Sequence, residues 1–247
     1  MADRLYLSLW YPNFRLESLP AALTGVLRQF AMVGRKRVSA ASAYPINFTE
    51  APTYQRIYVD ATPPSEFGHS AQSESSSEAT DAALEAAVAE ATEQLHDDMA
   101  YEFEMRWQLW APEDPPSTFN RIDPLPGEDD AMEPEHDPAA DLLDTPWKLR
   151  THTVRILGFG PQFDVAGFEQ NGHILIDFGL DTPWIVENLD DDHLDETAQV
   201  HIQQNIEKLL AFTLLIEKNC GISSRLLWTE SGEPLAEKLI ARLQRVN

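Results

Sequence analysis

Strict alternation of apolar and polar residues predicts the strands of this chain. Leucines occupy every second position from Leu5 to Leu9, and between Tyr101 and Trp110 apolar residues alternate with glutamate, arginine and glutamine. Successive side chains of a strand point to opposite faces of its sheet, so a period of two indicates strands. Asn171-Gly172 is a strong hairpin signal. Further strands are predicted at about 37–44, 53–60, 148–157, 162–170, 173–180 and 225–229.

Apolar residues that recur every three or four positions predict helices between these strands. Ser18 can cap the first helix, and Gly34 is expected to end it in a left-handed conformation. Ser75 and Glu78 match a capping box that opens a second helix. A long third helix is predicted at about 192–219, followed by Gly221, and a last helix begins at Pro234.

The order of these elements predicts an α+β fold with two α/β-sandwich-like halves. Residues 1–112 read β-α-β-β-α-β, which matches a ferredoxin-like arrangement, a topology that hosts many unrelated functions. Residues 147–247 read β-β-β-α-β-α, with a largely antiparallel sheet. Residues 113–146 are acidic and rich in proline, and we interpret them as a linker or a long surface excursion.

The pentapeptide Leu-Asp-Thr-Pro-Trp occurs twice, ending at Trp147 and at Trp184. No match extends beyond the five residues, so a domain duplication is rejected. The first copy precedes a predicted strand and the second follows the third strand of a predicted meander. The two copies are therefore expected at opposite ends of the sheet, as a repeated turn in which proline fixes φ and tryptophan covers the sheet's end.

Negative charge is concentrated in the middle third of the chain. The formal net charge is −23, of which residues 1–60 contribute +3, residues 61–147 contribute −20 and residues 148–247 contribute −6. An acidic surface typical of salt-adapted proteins would spread more evenly. A field of this sign repels nucleic acids and anionic lipids and attracts basic proteins. We expect a basic protein partner in the cytoplasm, with no nucleic acid and no membrane bound.

The chain lacks the sequence motifs of cofactor and metal sites. Gly158-Phe159-Gly160 has neither the third glycine nor the following helix of a dinucleotide fingerprint. The acidic runs 127–137 and 190–196 lack the ligand spacing of a calcium loop and a rigid framework. Cys220 is the single cysteine and lies near the carboxyl end of a helix, where a thiol is poorly activated. We predict no cofactor and no bound metal.

The leading hypothesis is a non-enzymatic interaction protein, similar in principle to a chaperone, adaptor or inhibitor, that presents an acidic surface to a basic partner. Acidic residues speed such association more than they add affinity, so apolar contacts are also needed. The expected apolar contacts are tryptophans: Trp110, Trp147 and Trp184. The expected acidic contacts are Glu128, Asp129, Asp130, Glu133 and Glu135.

Two alternatives stay open from the sequence. One is a hydrolase whose catalytic groups converge from separate elements. Its candidate residues are Asp144, His152, His173, Asp177, Asp181 and His193. The other is a structural subunit of a larger assembly, which would expose an unusually large apolar patch. The sequence leaves the oligomeric state open.

Overall fold

A computed structural model describes residues 3–45, 52–58, 75–112, 146–163, 172–180, 184 and 196–230. The described helices are α1 (Leu19–Val33), preceded by one 3₁₀ turn (Leu16–Ser18), α2 (Ser75–Ala91) and α3 (Glu196–Asn219). The described strands are β1 (Arg4–Trp10), β2 (Ala40–Pro45), β3 (Tyr54–Ile57), β4 (Met99–Pro112), β5 (Trp147–Phe159), β6 (Ile174–Leu180) and β7 (Ser224–Thr229). The α+β class is confirmed. The last predicted helix and most of the strand predicted at 162–170 lie outside the described residues.

The described strands form one seven-stranded antiparallel sheet in the order β3-β2-β4-β5-β6-β1-β7. The predicted order of elements in residues 1–112 is confirmed, but its ferredoxin-like arrangement is wrong. β1 pairs with β6 and β7, not with the strands of its own half. Alternation identifies a strand and its two faces, but it does not specify neighbours. Both predicted halves therefore contribute to one sheet.

The described helices cover one face of the sheet, with α1 between α2 and α3. The core lies in this layer, where Phe30 of α1 meets Phe212 of α3 edge to face at 5.2 Å between ring centroids. Close approach of α1 to β5 requires Gly158, because a Cβ atom there would lie 2.6 Å from Cδ1 of Leu19. Such overlap would force the helix away from the sheet.

The two glycines predicted to end helices adopt different conformations. Gly221 has φ of +62°, as expected for a left-handed residue after α3. Gly34 has φ of −116° and is extended, so its predicted left-handed conformation is wrong. Glycine fits at this position for a steric reason, because a Cβ atom would lie 2.4 Å from Cε1 of Phe30.

β4 and β5 form a long hairpin of thirteen consecutive residue pairs, from Ala100 with Phe159 to Pro112 with Trp147. Residues 113–145, which connect the two strands, lie outside the described residues. Since Pro112 and Trp147 face each other, the connecting segment leaves and rejoins the sheet at one place. Whether the segment is a linker or a surface excursion stays a prediction.

Candidate interaction surfaces

Aromatic side chains gather at the end of the β4–β5 hairpin, against the first half of α3. The ring of Trp110 stacks on His201 with 3.9 Å between centroids and an interplanar angle of 22°. The ring of Trp147 lies 5.8 Å from that of His201. All three side chains, here called the end cluster, are half-buried. Trp110 and Trp147 therefore retain accessible surface at the point where the acidic segment joins the fold.

An asparagine of α3 completes the edge of β4 beside this cluster. Asn205 is buried, its Oδ1 accepts a hydrogen bond from the backbone N–H of Trp110 at 2.9 Å, and its Nδ2 donates to the carbonyl of Trp110 at 2.8 Å. β2 pairs only with residues 99–104, so β4 continues past its neighbour. Lys208 Nζ donates to the carbonyl of Gln108 at 2.8 Å, and burial lowers the pKa of this lysine. These side chains satisfy backbone groups that a strand would otherwise pair.

The tryptophans of the two Leu-Asp-Thr-Pro-Trp copies lie at the same end of the sheet, contrary to expectation. β5 and β6 are direct antiparallel neighbours, so the start of one lies beside the end of the other. Trp147 contacts His201, and Nε1 of Trp184 donates to the carbonyl of Asn205 at 3.2 Å. His201 and Asn205 are four residues apart, about one turn of α3. Residues 143–145 and 181–183 lie outside the described residues.

The prediction that Trp184 is a surface contact is wrong. Its side chain is fully buried, with its ring centroid 5.9 Å from that of Trp107 and 6.0 Å from that of Phe178. The indole fills the core between the sheet and α3, and its N–H is satisfied by a backbone carbonyl. The two copies of the pentapeptide are identical, so both tryptophans were predicted to be surface contacts. In the fold, Trp184 packs in the core and Trp147 is half-buried.

The structure does not bring the described hydrolase candidates together. His152 pairs with Trp107 across the hairpin, while Phe159, seven residues further along β5, donates its N–H to the carbonyl of His173. Seven strand residues span about 23 Å. Asp177 pairs with Arg155, and its side chain lies on the opposite face of the sheet from that of His152. The other candidates, Asp144, Asp181 and His193, lie outside the described residues.

Each described candidate has a structural environment of its own. His173 Nδ1 accepts a hydrogen bond from the N–H of Tyr11 at 2.9 Å, and burial lowers the pKa of His173. Burial, with a smaller contribution from Arg150, also lowers the pKa of His152. Asp177 accepts hydrogen bonds from Arg4 at 3.2 Å and from the backbone N–H of Gly179, two residues further along β6, at 2.8 Å.

The described part of the chain contains neither a group of side chains that could hold a metal ion nor an activated thiol. Among those residues, no group of three or more histidine, cysteine, aspartate or glutamate side chains is placed to hold a metal ion. Burial raises the pKa of Cys220 to about 11, so its thiol is protonated at neutral pH. No helix of the described ranges is long and apolar enough to cross a membrane.

Arginines from outside the acidic middle third pair with many of its carboxylates. Arg28 of α1 contacts Asp81 and Glu85, and Arg56 of β3 contacts Glu90. Arg155 of β5 lies 3.7 Å from Glu102 and 4.0 Å from Glu104. These contacts involve five of the nine acidic residues between positions 75 and 112. Residues 113–145, with eleven acidic residues and one arginine, carry −10 of the formal net charge of −23.

The sheet face opposite the helices, here called the open face, carries an unexpected mixture of side chains. The rings of Tyr6 and Trp228 lie 4.7 Å apart on it, and Trp228 Nε1 donates to Ser8 Oγ at 2.9 Å. Leu226 is 51% exposed. One cross-strand row comprises Glu104, Arg155, Asp177, Tyr6 and Trp228. The neighbouring row comprises Glu102, Leu157, Leu175, Ser8 and Leu226. Sequence reasoning missed both rows because they exist only once the strand order is known.

Comparison with known proteins identifies no family for this chain. It matches no protein-family model, no curated protein and no solved structure.

Proposed function

We propose that this protein is a non-enzymatic interaction module that captures a basic protein partner. The observation that supports this proposal is the pairing of Pro112 with Trp147. It holds both ends of the segment with eleven acidic residues beside the half-buried indoles of Trp110 and Trp147. Attraction at long range and apolar contact at short range thus arise at the same end of the hairpin.

The two parts of this site contribute to different stages of binding. Charges that remain unpaired steer a basic partner toward the site and raise the association rate, most strongly at low ionic strength. Our expected acidic contacts, Glu128, Asp129, Asp130, Glu133 and Glu135, belong to this stage. Tryptophan side chains provide large apolar areas with few rotatable bonds, so Trp110 and Trp147 would slow dissociation once the partner has arrived.

A deletion tests the proposal without disturbing the sheet. Because Pro112 and Trp147 face each other, an Asn-Gly turn can replace residues 113–146 and close the hairpin directly. The immobilised wild-type chain is exposed to a cell lysate at low salt, retained proteins are identified by mass spectrometry, and association rates are measured with the purified partner. We expect basic proteins on the wild type and an association rate at least about tenfold lower for the deletion variant.

Two further variants separate charge from apolar contact. A full-length variant with amides in place of the five carboxylates Glu128, Asp129, Asp130, Glu133 and Glu135 should lower the association rate and flatten its dependence on salt. Trp147→Ala should raise the dissociation rate and leave the association rate nearly unchanged. Retention of the same proteins at the same rates by the deletion variant would rule out this function.

A further inference from the structure

Four apolar side chains lie together on the open face at the end of the β4–β5 hairpin. Trp110 pairs with Leu149, and Pro112 pairs with Trp147. Directly paired residues of an antiparallel sheet point to the same face, and so do residues two apart along a strand. The four side chains are therefore neighbours, and they are here called the hairpin patch. Leu149, which sequence reasoning missed, is 51% exposed, and the other three are half-buried.

The edge of β4 beside the hairpin patch is closed to an additional strand. Asn205 bonds to both the N–H and the carbonyl of Trp110, and Lys208 donates to the carbonyl of Gln108. A peptide that extends a sheet needs such backbone groups to be free. A partner at the hairpin patch therefore binds through its side chains, and the chemistry of the patch decides which side chains it prefers.

Among the described strands, no charged side chain interrupts the hairpin patch. Lys148 and Arg150 alternate with the two patch residues of β5, so their side chains point to the opposite face of the sheet. The next cross-strand pair along the hairpin on the open face, Gln108 with Thr151, is uncharged. A positively charged side chain that reaches the patch therefore contacts indole rings and apolar atoms rather than a carboxylate of the sheet.

The indole of Trp110 already stacks with a planar nitrogen-containing group. His201 of α3 lies on it with 3.9 Å between ring centroids and an interplanar angle of 22°, and Trp110 still keeps accessible surface. The guanidinium of arginine is also planar, stacks on aromatic rings and is more weakly hydrated than the ammonium of lysine. Tryptophan is the aromatic residue that attracts cations most strongly. Transfer from water to the hairpin patch therefore costs less for arginine than for lysine.

We propose that the hairpin patch selects arginine over lysine, so that the captured partner is an arginine-rich protein. This selectivity rests on the proposed function, in which the carboxylates of residues 113–145 attract positive charge of either kind. Stacking on Trp110 and Trp147 then favours the guanidinium. The exposed side chain of Leu149 provides an apolar contact for the methylene groups of the same arginine.

Two labelled peptides of equal length and charge test the selectivity on the full chain. One alternates arginine with glycine, and the other alternates lysine with glycine. Fluorescence anisotropy at about 0.15 M salt measures the dissociation constant of each peptide. The wild type should bind the arginine peptide at least about fivefold more tightly than the lysine peptide. Trp110→Leu and Trp147→Leu should each reduce this preference to about half or less, and the double variant should bind both peptides equally, because leucine keeps apolar contact but removes the ring.

Two controls separate stacking at the patch from general effects. Trp228→Leu replaces another half-buried tryptophan of the open face, on β7 and outside the patch, and should keep the full preference. The full-length variant with five amides should weaken both peptides by a similar factor and keep their ratio, because it removes charge alone. Circular dichroism verifies that each variant is folded.

The possible failures distinguish this selectivity from the proposed function. Equal dissociation constants in the wild type would overturn the selectivity for arginine and leave the capture of basic proteins in place. A preference that persists in the folded double variant, or one that is lost in Trp228→Leu, would overturn the assignment to the hairpin patch. Failure of both peptides to bind the wild type would overturn the selectivity and the proposed function together.

Discussion

At the residue scale, His173 directly precedes β6 and connects it to the loop after β1 by one hydrogen bond. That bond depends on the protonation state of the imidazole. Its Nδ1 accepts the N–H of Tyr11 at 2.9 Å, and its ring stacks on Phe14 with 4.2 Å between centroids. A histidine can accept at Nδ1 only while that nitrogen is unprotonated. Burial lowers the pKa of His173, which is the shift that this bonding pattern requires.

His173→Asn should therefore reduce the loss of stability on mild acidification. A folded-state pKa below the unfolded value of about 6.5 gives stability that is present above that pH and is lost as the pH falls. Asparagine offers a non-titrating oxygen acceptor close to the position of Nδ1. Urea unfolding from about pH 7.5 to about pH 5 should show a smaller decline in the free energy of unfolding for the variant. His96→Asn, at an exposed position, serves as the control, and identical declines in His173→Asn and wild type would contradict the assignment.

At the element scale, α3 supports β4 beyond the reach of β2. An unpaired strand edge attracts other strands or leaves backbone groups without partners. Asn205 prevents both outcomes at Trp110, because its side chain supplies one acceptor and one donor to the backbone of that residue, as a neighbouring strand would. The Nε1 of Trp184 also bonds to the carbonyl of Asn205. The end of the hairpin that carries the end cluster is thus fixed to α3.

Asn205→Ala should destabilise the fold by about 2 kcal/mol, because it leaves the part-buried backbone N–H and carbonyl of Trp110 without the partners that they have in the wild type. Urea unfolding followed by circular dichroism measures the change. Gln203→Ala removes an exposed hydrogen bond to Glu207 on the same helix and should change stability by no more than about 0.5 kcal/mol. Equal effects of the two substitutions would show that α3 does not anchor the strand through Asn205.

The elements of this fold were largely predictable from local patterns, but their arrangement was not. Alternation located β1 and β4 to within two residues at either end. α1 begins directly after Ser18, but the prediction that Ser18 caps it is wrong, because its side chain makes no capping hydrogen bond. Alternation does not identify neighbours, so the position of β1 between β6 and β7 was missed. Identical pentapeptides likewise could not show that Trp184 is buried and Trp147 half-buried, since packing on α3 decides their exposure.

At the scale of the whole molecule, negative charge is divided between the acidic segment 113–145, with a net charge of −10, and the rest of the chain, with −13. Arginines on α1, β3 and β5 neutralise much of the charge on α2 and β4. Residues 113–145 carry eleven acidic residues against Arg121 alone. This segment therefore carries the densest negative charge of the chain, but −13 of the net charge lies outside it.

Replacing residues 113–146 by an Asn-Gly turn should raise the melting temperature most strongly at low salt. The change moves the formal net charge from −23 to −13 and so reduces repulsion within the folded chain. A shorter connection also closes with a smaller loss of entropy, but that gain does not depend on salt. Calorimetry at about 0.02 M and about 0.5 M salt separates the two contributions, since added salt screens only the first. The full-length variant with five amides is the control, because it removes charge without shortening the chain. An increase in melting temperature that is the same at both salt concentrations would show that the segment's charge does not act on the folded body.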